Sequence, residues 1–322
     1  MDLAKISLNA IREKKVAILG YGNQGRAHAL NLRDSGVLVR VGCASPSSQK
    51  RANEDGFEGA SYLDAVKESD IAMLLVADQC MPAVFESILP SLKLNRKIIG
   101  FAHGYAVHFR TIQIPENIPY FLAAPKGAGA ILRANFQKGG GLPGAFAVGS
   151  DPSDEFKALV LSYAKAIGIA TSFLIESSFQ EETEGDLFGE QAVLCGGLMQ
   201  LMENAFEILV SNGAQPETAF LDCCFEAKMI LELWIQYGPY EFSKMISPTA
   251  FYGGLSRGRR IIDSRVRAEM EKIFDELRNG EFKSEWAKEV AAGMPTLEPE
   301  RQRLRDSPLQ NAFERYLLTC GP

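Results

Sequence analysis

The residues best suited to chemistry lie in an acidic stretch at 181–191, which reads EETEGDLFGEQ. Asp186 and Glu190 are four positions apart, so on a helix their carboxylates lie on one face, one turn from each other. Two like charges stacked in this way repel each other unless a cation lies between them. Carboxylate oxygens suit a hard ion such as Mg²⁺. The alternative is an ordinary acidic helix N-terminus, which the helix macrodipole favours.

A second pair of acids, Asp222 and Glu226, repeats this spacing among Phe, Leu and Cys residues. Carboxylates on an apolar helix face are costly to bury unless they are paired or bound to metal. Two such pairs on two helices could hold two metal ions about 3.5–4 Å apart. The sequence therefore predicts a two-metal site made of Asp186, Glu190, Asp222 and Glu226.

A glycine-rich segment near the N-terminus, GYGNQG at 20–25, has the pattern that binds the phosphates of a dinucleotide. It follows an apolar strand at 15–19, opens a helix and leads to a second strand at 37–41, which is the context that the pattern requires. The alternative is a glycine-rich turn without a ligand. The predicted contacts of this segment with the cofactor are Gly20, Tyr21, Gly22, Gln24 and Gly25.

The end of the second strand bears on which dinucleotide binds. An NAD site usually has Asp or Glu about 20 residues after the glycines, where it binds the ribose 2′-hydroxyl. Residues 42–51 contain no acid and instead offer hydroxyls and two cations, which suit a 2′-phosphate. We therefore predict NADPH rather than NADH, bound by Ser45, Ser47, Ser48, Lys50 and Arg51. The serines could also cap a helix, and the two readings are compatible.

The α/β alternation continues with predicted strands at 71–76, 97–101, 119–124, 145–148 and 170–175 and a helix at 153–167. Ligands in such folds bind at the carboxyl ends of the strands. His103 has this position after the strand at 97–101, and Lys126 follows the strand at 119–124. Asp78 and Gln79 follow the strand at 71–76 and are predicted cofactor contacts.

Strand patterns stop near residue 180, and helical patterns follow at 189–211, 215–237, 264–278 and 296–317. Gly213 and Gly238 interrupt them. The sequence thus predicts an α/β Rossmann-like domain with a mostly parallel sheet over 1–180, which binds NADP(H), and an all-α domain over 181–322.

The composition limits the classes of partner. The chain has 322 residues, 46% of them hydrophobic and 23% charged, and a formal net charge of −6, which does not favour nucleic acid or anionic membranes. It contains no uninterrupted run of 18 apolar residues, so we predict no membrane span. The six cysteines lack C-x-x-C spacing and are typical of free thiols in a reducing cytoplasm.

These segments together resemble the ketol-acid reductoisomerase (acetohydroxyacid isomeroreductase) family, in its short bacterial, class I form. The resemblance covers about residues 5–290. It is carried by GYGNQG at 20–25, AHGY at 102–105, PKG at 125–127, DLFGEQAVLCGG at 186–197 and the segment Ile246-Ser247-x-Thr249-Ala250.

The resemblance implies NADPH, two Mg²⁺ ions and a 2-hydroxy-2-alkyl-3-keto acid such as acetolactate, in branched-chain amino-acid synthesis. It implies that Asp186 bridges both metals and that Glu190, a metal ligand, also serves catalysis. The pair Asp222 and Glu226 would come from the partner subunit of a homodimer or larger homo-oligomer. Ser247 would hold the substrate carboxylate. His103 and Lys126 would lie between metal-bound waters and the nicotinamide, and the all-α domain would be knotted and would form the dimer.

This chain departs from the family pattern near the expected site. Asp222 stands where the family has Glu, and Ala128-Gly129-Ala130 stand where it has Pro-Gly-His. Pro248 and Phe251 replace Asn and Glu, and Cys43 or Ala44 replaces the arginine after the second strand. An alternative function is therefore reduction of another 2-keto acid or an imine without alkyl migration. A third is a non-catalytic NADPH-binding protein.

Overall fold

The computed structural model describes residues 2–94 and 97–320. The described residues form two compact units that divide between Thr183 and Glu184. The sequence predicted this change at 180/181. The helix that contains the predicted acidic stretch spans the division, and each unit is otherwise described by itself.

The first unit is built on an eight-stranded sheet with strand order β3-β2-β1-β4-β5-β6-β7-β8. Its strands are β1 Lys15–Leu19, β2 Leu38–Gly42, β3 Gly59–Ala60, β4 Ile71–Leu74, β5 Ile98–Phe101, β6 Tyr120–Pro125, β7 Gly144–Val148 and β8 Leu174–Glu176. Among the described strands only the β6–β7 pair is antiparallel. The predicted Rossmann-like, mostly parallel sheet is confirmed.

Helices cover both faces of this sheet, which explains why its central strands are apolar throughout. Every residue of β4 is buried, as are residues 16–19 of β1. The helices are α1 Asn9–Arg12, α2 Asn23–Asp34, α3 Pro46–Glu54, α4 Tyr62–Lys67, α5 Met81–Leu94, α6 Tyr105–His108, α7 Gly129–Gln137 and α8 Asp154–Ile167. Short 3₁₀ turns lie at Leu3–Lys5 and Asp78–Cys80. One core cluster includes side chains of α2 and α8, and the other includes side chains of α4 and α5.

The strand predicted at 170–175 is wrong at its start, because β8 begins at Leu174. Gly168 ends α8 in the left-handed conformation with φ +94°. The buried Ile169 then folds back, and its N–H donates to the carbonyl of Ala164. The apolar residues after α8 therefore belong to a helix-terminating turn rather than to a strand.

The second unit is helical, as predicted. Its helices are the end of α9 Phe179–Gly189, then α10 Gly197–Ser211, α11 Pro216–Phe220, α12 Glu226–Met245, α13 Pro248–Ile261, α14 Ser264–Asn279, α15 Glu281–Ala291, α16 Leu297–Arg305 and α17 Pro308–Cys320. Two π-helical segments, Glu190–Leu194 and Leu221–Phe225, interrupt them. Gly238 kinks α12 with φ +75°, at the predicted break.

Helices α13 and α15 were missed from the sequence. The N-terminal signal of α13 is present, since Ser247 caps it and Pro248 occupies its first turn. Its apolar side chains, however, are exposed in the single chain, as at Phe251, Tyr252 and Leu255. Glycines at 253, 254 and 258 within α13 weaken the helical signal of its sequence.

By length and composition alone, one helical stretch among the described residues, 179–211, could cross a membrane, although the sequence predicted no span. The core helix of a soluble protein passes the same test, so the indication is weak. Only 11% of its most apolar 18-residue window is buried within the chain. This apolar surface therefore lacks a cover in the single chain.

Candidate active site

A buried carboxylate, that of Glu182, collects three donors in the first unit. Its Oε1 lies 2.9 Å from Lys126 Nζ, and its Oε2 lies 3.1 Å from His103 Nδ1. The same Oε2 accepts the backbone N–H of Gly104 at 2.8 Å. His103 and Lys126, two of the three residues predicted to serve catalysis, are thus brought together by Glu182, which the sequence analysis did not assign.

The sheet explains how these side chains meet. His103 follows β5 and Lys126 follows β6, and the two strands pair in parallel, so their carboxyl ends lie side by side. Helix α9 then packs on the turn after β5. A Cβ on Gly104 would lie 2.4 Å from the Thr183 hydroxyl and 2.6 Å from the Phe179 carbonyl. Only glycine allows the approach that delivers Glu182 to this edge.

The electrostatics favour an ionised Glu182. Burial by itself would raise the pKa of this carboxyl, but the hydrogen bond and charge of His103 and the charge of Lys126 outweigh it and lower the pKa below its usual value. The side chain of Glu182 is 2% exposed, whereas that of Lys126 is 38% exposed. Glu182 is therefore a fixed anion that holds the Lys126 ammonium and the His103 ring in position.

The sequence did carry a signal for Glu182. It precedes Asp186 by four residues, as Asp186 precedes Glu190, so the three acids repeat along one face of the helical stretch. Only the spacing of Asp186 and Glu190 was used in the prediction.

The glycines of the dinucleotide segment have the roles that the pattern requires. Gly20 has φ +99°, and a Cβ there would lie 2.6 Å from the carbonyl of Leu75. A Cβ on Gly25 would lie 1.9 Å from the carbonyl of Gly20, so helix α2 could not approach β1. Gly22 opens α2 with no side-chain cap among the described residues, and the space beside it is open. The first N–H groups of α2 can therefore receive a phosphate.

Two other residues of this segment have additional contacts. The side chain of Tyr21 is buried, and its hydroxyl donates to Asp55 Oδ2 at 2.8 Å, so only its backbone remains to serve a cofactor. Gln24 donates through Nε2 to the carbonyl of Gly127 at 2.9 Å. Its Oε1 is buried and has no partner in the part of the chain that the structure describes. A phosphate oxygen is itself an acceptor, so this oxygen does not bind the cofactor phosphates.

The predicted 2′-phosphate residues lie at the N-terminal half of α3. Ser45 caps this helix, and its Oγ lies 3.0 Å from the Oγ atoms of both Ser47 and Ser48. Lys50 Nζ lies 3.9 Å from Glu54 on the same helix. Arg51 instead lines a groove of about 380 Å³ together with Gly22 and Asn23. Burial raises the pKa of the Cys43 thiol, and the charge of Arg51 opposes that rise, which locates Arg51 beside the end of β2.

Asp78 and Gln79 lie in the 3₁₀ turn after β4, at the carboxyl edge of the sheet as predicted. Asp78 also lies near Tyr105: burial and, second, the charge of Asp78 raise the pKa of Tyr105 to about 12. Gln79 is exposed.

The predicted metal ligands of the second unit lie in or beside its two π-helical segments. Asp186 lies in α9 before the first segment, and Glu190 is the first residue of that segment. Asp222 lies within the second segment, and Glu226 follows it. Among the described residues, these four acids do not gather into one ligand cluster. Asp222 and Glu226 are exposed in the single chain, so they do not pay the cost of burial that their apolar neighbours suggested. Ser247, the predicted substrate residue, is exposed, and its Oγ accepts the N–H of Ala250 at 3.1 Å.

A dinucleotide segment at the carboxyl edge of a mostly parallel sheet, with Lys126 and His103 held by a buried carboxylate at the same edge, is typical of a nicotinamide-dependent oxidoreductase. Residues 10–172 match the family model of the acetohydroxy acid isomeroreductase NADPH-binding domain. Residues 179–316 match that of the ketol-acid reductoisomerase C-terminal domain. The chain belongs to the ketol-acid reductoisomerase family, as its motifs predicted.

A solved structure supports this family assignment. An NADH-preferring ketol-acid reductoisomerase from an uncultured archean superposes with a TM-score of 0.94 at 35% identity, over 99% of this chain and 98% of that one. Two others share the fold alone. A semialdehyde dehydrogenase NAD-binding protein from Cupriavidus necator, in complex with calcium and NAD, gives a TM-score of 0.62 at 20% identity, over 83% and 99% of the two chains. A 1-pyrroline-5-carboxylate reductase from Streptococcus pyogenes gives 0.56 at 16% identity, over 82% and 97%.

Proposed function

We propose that this protein is an NADPH- and Mg²⁺-dependent ketol-acid reductoisomerase that converts acetolactate, or a closely related 2-hydroxy-2-alkyl-3-keto acid, into a 2,3-dihydroxy acid. The observation that carries this proposal is the Glu182 cluster: a buried carboxylate that holds Lys126 and His103 at the strand ends where a dinucleotide-binding fold binds its substrate. The reaction belongs to branched-chain amino-acid synthesis in the cytoplasm, where thiols stay reduced.

Negative charge develops on two oxygens of the substrate during the reaction, and protons must neutralise it. The C2 hydroxyl loses its proton as the alkyl group moves with its bonding electrons from C2 to the C3 carbonyl carbon, which leaves a ketone at C2 and an alkoxide at C3. NADPH, when bound, would supply the hydride that reduces the C2 ketone, and each of the two alkoxide oxygens would take up one proton. Glu182 keeps the Lys126 ammonium and the His103 ring oriented for these proton movements, because both are hydrogen-bonded to one fixed carboxylate.

The donor set fits a hard divalent cation, because Asp186, Glu190, Asp222 and Glu226 offer only carboxylate oxygens. Asp186 and Glu190 would hold the ions, joined by Asp222 and Glu226 of a second copy of the chain. When bound, the ions supply Lewis-acid polarisation of the substrate oxygens. Ser247 would hold the substrate carboxylate.

A homodimer or a larger homo-oligomer is supported by the surface of the second unit. Large apolar side chains along α12 are exposed in the single chain, among them Met229, Trp234, Ile235 and Tyr240. The exposure of Asp222 and Glu226 on the same stretch also agrees with a site completed by another copy. Exposed apolar surface on this scale marks an interaction surface.

The preference for NADPH is supported by three features at α3. The serines gather at its N-terminus, and Arg51 lies beside the dinucleotide segment. Asp55, the acid that ends α3, is already occupied, because Arg26 binds both of its oxygens at 2.6 and 2.9 Å. The similarity to an NADH-preferring enzyme makes this preference a point to measure.

A second candidate is a reductase of another 2-keto acid or imine that does not catalyse migration. It is favoured by the apolar Pro248 and Phe251 beside Ser247, since Phe251 lines a mostly apolar groove of about 480 Å³. The shorter Asp222 and the loss of an imidazole at Ala130 also favour a changed pocket.

The test is steady-state turnover with Mg²⁺, comparing acetolactate with its migrated isomer, the 3-hydroxy-3-methyl-2-keto acid, and NADPH with NADH. We expect a kcat/KM for acetolactate above about 10⁴ M⁻¹s⁻¹, typical of efficient enzymes, higher with NADPH, and lost after chelation. Turnover of the isomer but not of acetolactate would establish the second candidate. The Asp222→Glu variant tests whether the shorter carboxylate side chain lowers activity. No gain in kcat/KM would show that this departure is neutral.

A further inference from the structure

We propose that Asn23 and Gln24 are positioning residues for Lys126. They lie in the dinucleotide segment, but their side chains hold the turn that carries the lysine. This inference deepens the proposed function, on which it rests, by linking the cofactor segment to the Glu182 cluster through bonds within the first unit.

Two hydrogen bonds hold the backbone around Lys126. The N–H of Lys126 donates to the carbonyl of Pro143 at 2.9 Å. The carbonyl of Gly127, one peptide group beyond that of Lys126, accepts from Gln24 Nε2 at 2.9 Å. From this segment the lysine side chain reaches Glu182, and its Nζ lies 2.9 Å from Glu182 Oε1. The amide of Gln24 thus sets the position from which Lys126 reaches the buried carboxylate.

Asn23 holds the other end of the same turn. Its Oδ1 accepts the backbone N–H of Ala130 at 3.1 Å, in the first turn of α7. The residue in the capping position of α7 is Ala128, which has no side chain able to cap the helix. Helix α7 therefore takes its cap from α2.

A close backbone contact accompanies these bonds. A Cβ on Gly129 would lie 2.2 Å from the carbonyl of Asn23, so the two chain segments touch only because residue 129 is glycine. The contact and the two side-chain bonds leave the 126–130 turn little freedom relative to the start of α2. The same start of α2 offers the open N–H groups that suit the cofactor phosphates.

Two roles for Gln24 can be separated by experiment. As a cofactor ligand it would contribute to NADPH affinity, whereas as a positioning residue it would leave affinity intact and act on Lys126. Gln24→Met keeps the length of the side chain and removes its amide group, with both the Nε2 donor and the Oε1 acceptor. Gln49→Met is the matched control, because Gln49 in the same unit also donates through Nε2 to a glycine carbonyl, that of Gly59, at 3.3 Å.

The readouts are amide hydrogen exchange of peptides covering 126–137, the dissociation constant of NADPH from fluorescence titration, and kcat and KM with acetolactate. For Gln24→Met we expect about tenfold faster exchange at 126–131, the free-energy equivalent of one lost hydrogen bond. We expect kcat to fall about 10–100-fold through misplacement of Lys126, with the NADPH dissociation constant within about twofold of wild type. Gln49→Met should change none of these.

An NADPH dissociation constant raised about tenfold or more with unchanged exchange at 126–131 would overturn the proposal and make Gln24 a cofactor ligand. Faster exchange with an unchanged kcat would overturn it as well. Asn23→Ala is the second variant, should Gln24→Met fail to fold, with the same expected results. Exchange and NADPH affinity do not depend on turnover, so a wild-type protein inactive on acetolactate would contradict the proposed function and still leave the positioning of the turn measurable.

Discussion

Glu182 joins three features of the first unit, the turn after β5, the turn after β6 and the start of α9. A buried carboxylate persists only because its two oxygens receive three donors, from Lys126, His103 and the N–H of Gly104. Loss of that charge would leave the lysine ammonium without its buried partner. The residue is therefore expected to serve stability and activity together.

Glu182→Gln should lower kcat about 100-fold, the usual contribution of an oriented acid–base group, while Glu181→Gln, on the exposed side of the same turn, should leave it unchanged. The pKa of Glu182 is lowered in the folded protein. Its stabilising contribution is thus present above its unfolded pKa and is lost as the pH falls through the lower folded pKa. Urea unfolding at pH 7 should show a loss of stability for Glu182→Gln, and the difference from wild type should shrink below pH about 4.5.

A wild-type kcat in Glu182→Gln would contradict the role of the cluster. A difference in unfolding free energy that stays constant from pH 7 to the acid limit would show that Glu182 acts through its shape and not through its charge.

Single residues show where sequence reasoning succeeds and where it stops. His103 was singled out because it follows a strand at the ligand edge of a parallel sheet, and Lys126 because its segment resembles a family motif. Glu182 was missed because its burial depends on α9 packing against Gly104, a contact between residues 78 positions apart. The exposure of Asp222 and Glu226 depends on how the helices pack, which their neighbours in sequence do not determine.

At the scale of elements, the predicted metal ligands coincide with two π-helical segments. A π-helical turn holds one residue more than an α-turn and so rotates the following side chains. Each acid pair therefore spans a change of helical phase, at Glu190–Leu194 and at Leu221–Phe225. The spacing of the acids can be read from the sequence, but this change of phase cannot, since a π-helical segment has no distinctive residue pattern in this chain. Such segments occur often at functional sites.

Helix α3 gives a matched pair of cations for testing the cofactor. Arg51 follows Ser47 by one turn on the same face and lines the groove beside the dinucleotide segment, whereas Lys50 lies near Glu54. We expect Arg51→Gln to weaken NADPH binding about tenfold, through loss of one charge-assisted contact, without changing NADH binding. Lys50→Gln should affect both cofactors by less than about twofold.

Titrations of both nucleotides with the three proteins measure this difference. Equal weakening of NADPH and NADH by Arg51→Gln would mean that Arg51 contacts a part that the two cofactors share. If wild type binds NADH more tightly, the serines at the start of α3 act only as helix caps.

At the scale of the whole chain, the second unit exposes an apolar surface that a single copy leaves in water. The stretch at 179–211 and helix α12 carry most of it. Burial of apolar surface stabilises by about 25 cal/mol per Å², so a second copy would be a strong partner. Helix positions in this unit were predicted well where caps such as Gln215-Pro216 are clear, and poorly where glycines interrupt the helical sequence, as in α13.

If two copies share each site, inactive variants should complement each other. Asp186→Asn and Glu226→Gln are each expected to abolish turnover and to leave NADPH binding intact. Co-expressed and isolated as a mixed dimer, they should recover about a quarter to a half of wild-type activity, because one of the two sites keeps both wild-type acid pairs. Analytical ultracentrifugation would establish that the mixed species is a dimer, and a dimer with no recovery would place all four acids of each site in one chain.

The one antiparallel step of the sheet, between β6 and β7, has a consequence for how the family can vary. Antiparallel neighbours need only a tight turn between them, whereas parallel neighbours need a crossover of a dozen or more residues. Between Pro125 and Gly144, which pair directly, the chain nevertheless builds α7. This helix is not required to connect the strands, so it forms a topologically optional insertion beside the lysine. Beyond its first turn, which Asn23 and Gly129 hold against α2, this helix could change in length, for example in an engineered chimaera, without altering the order or direction of any strand.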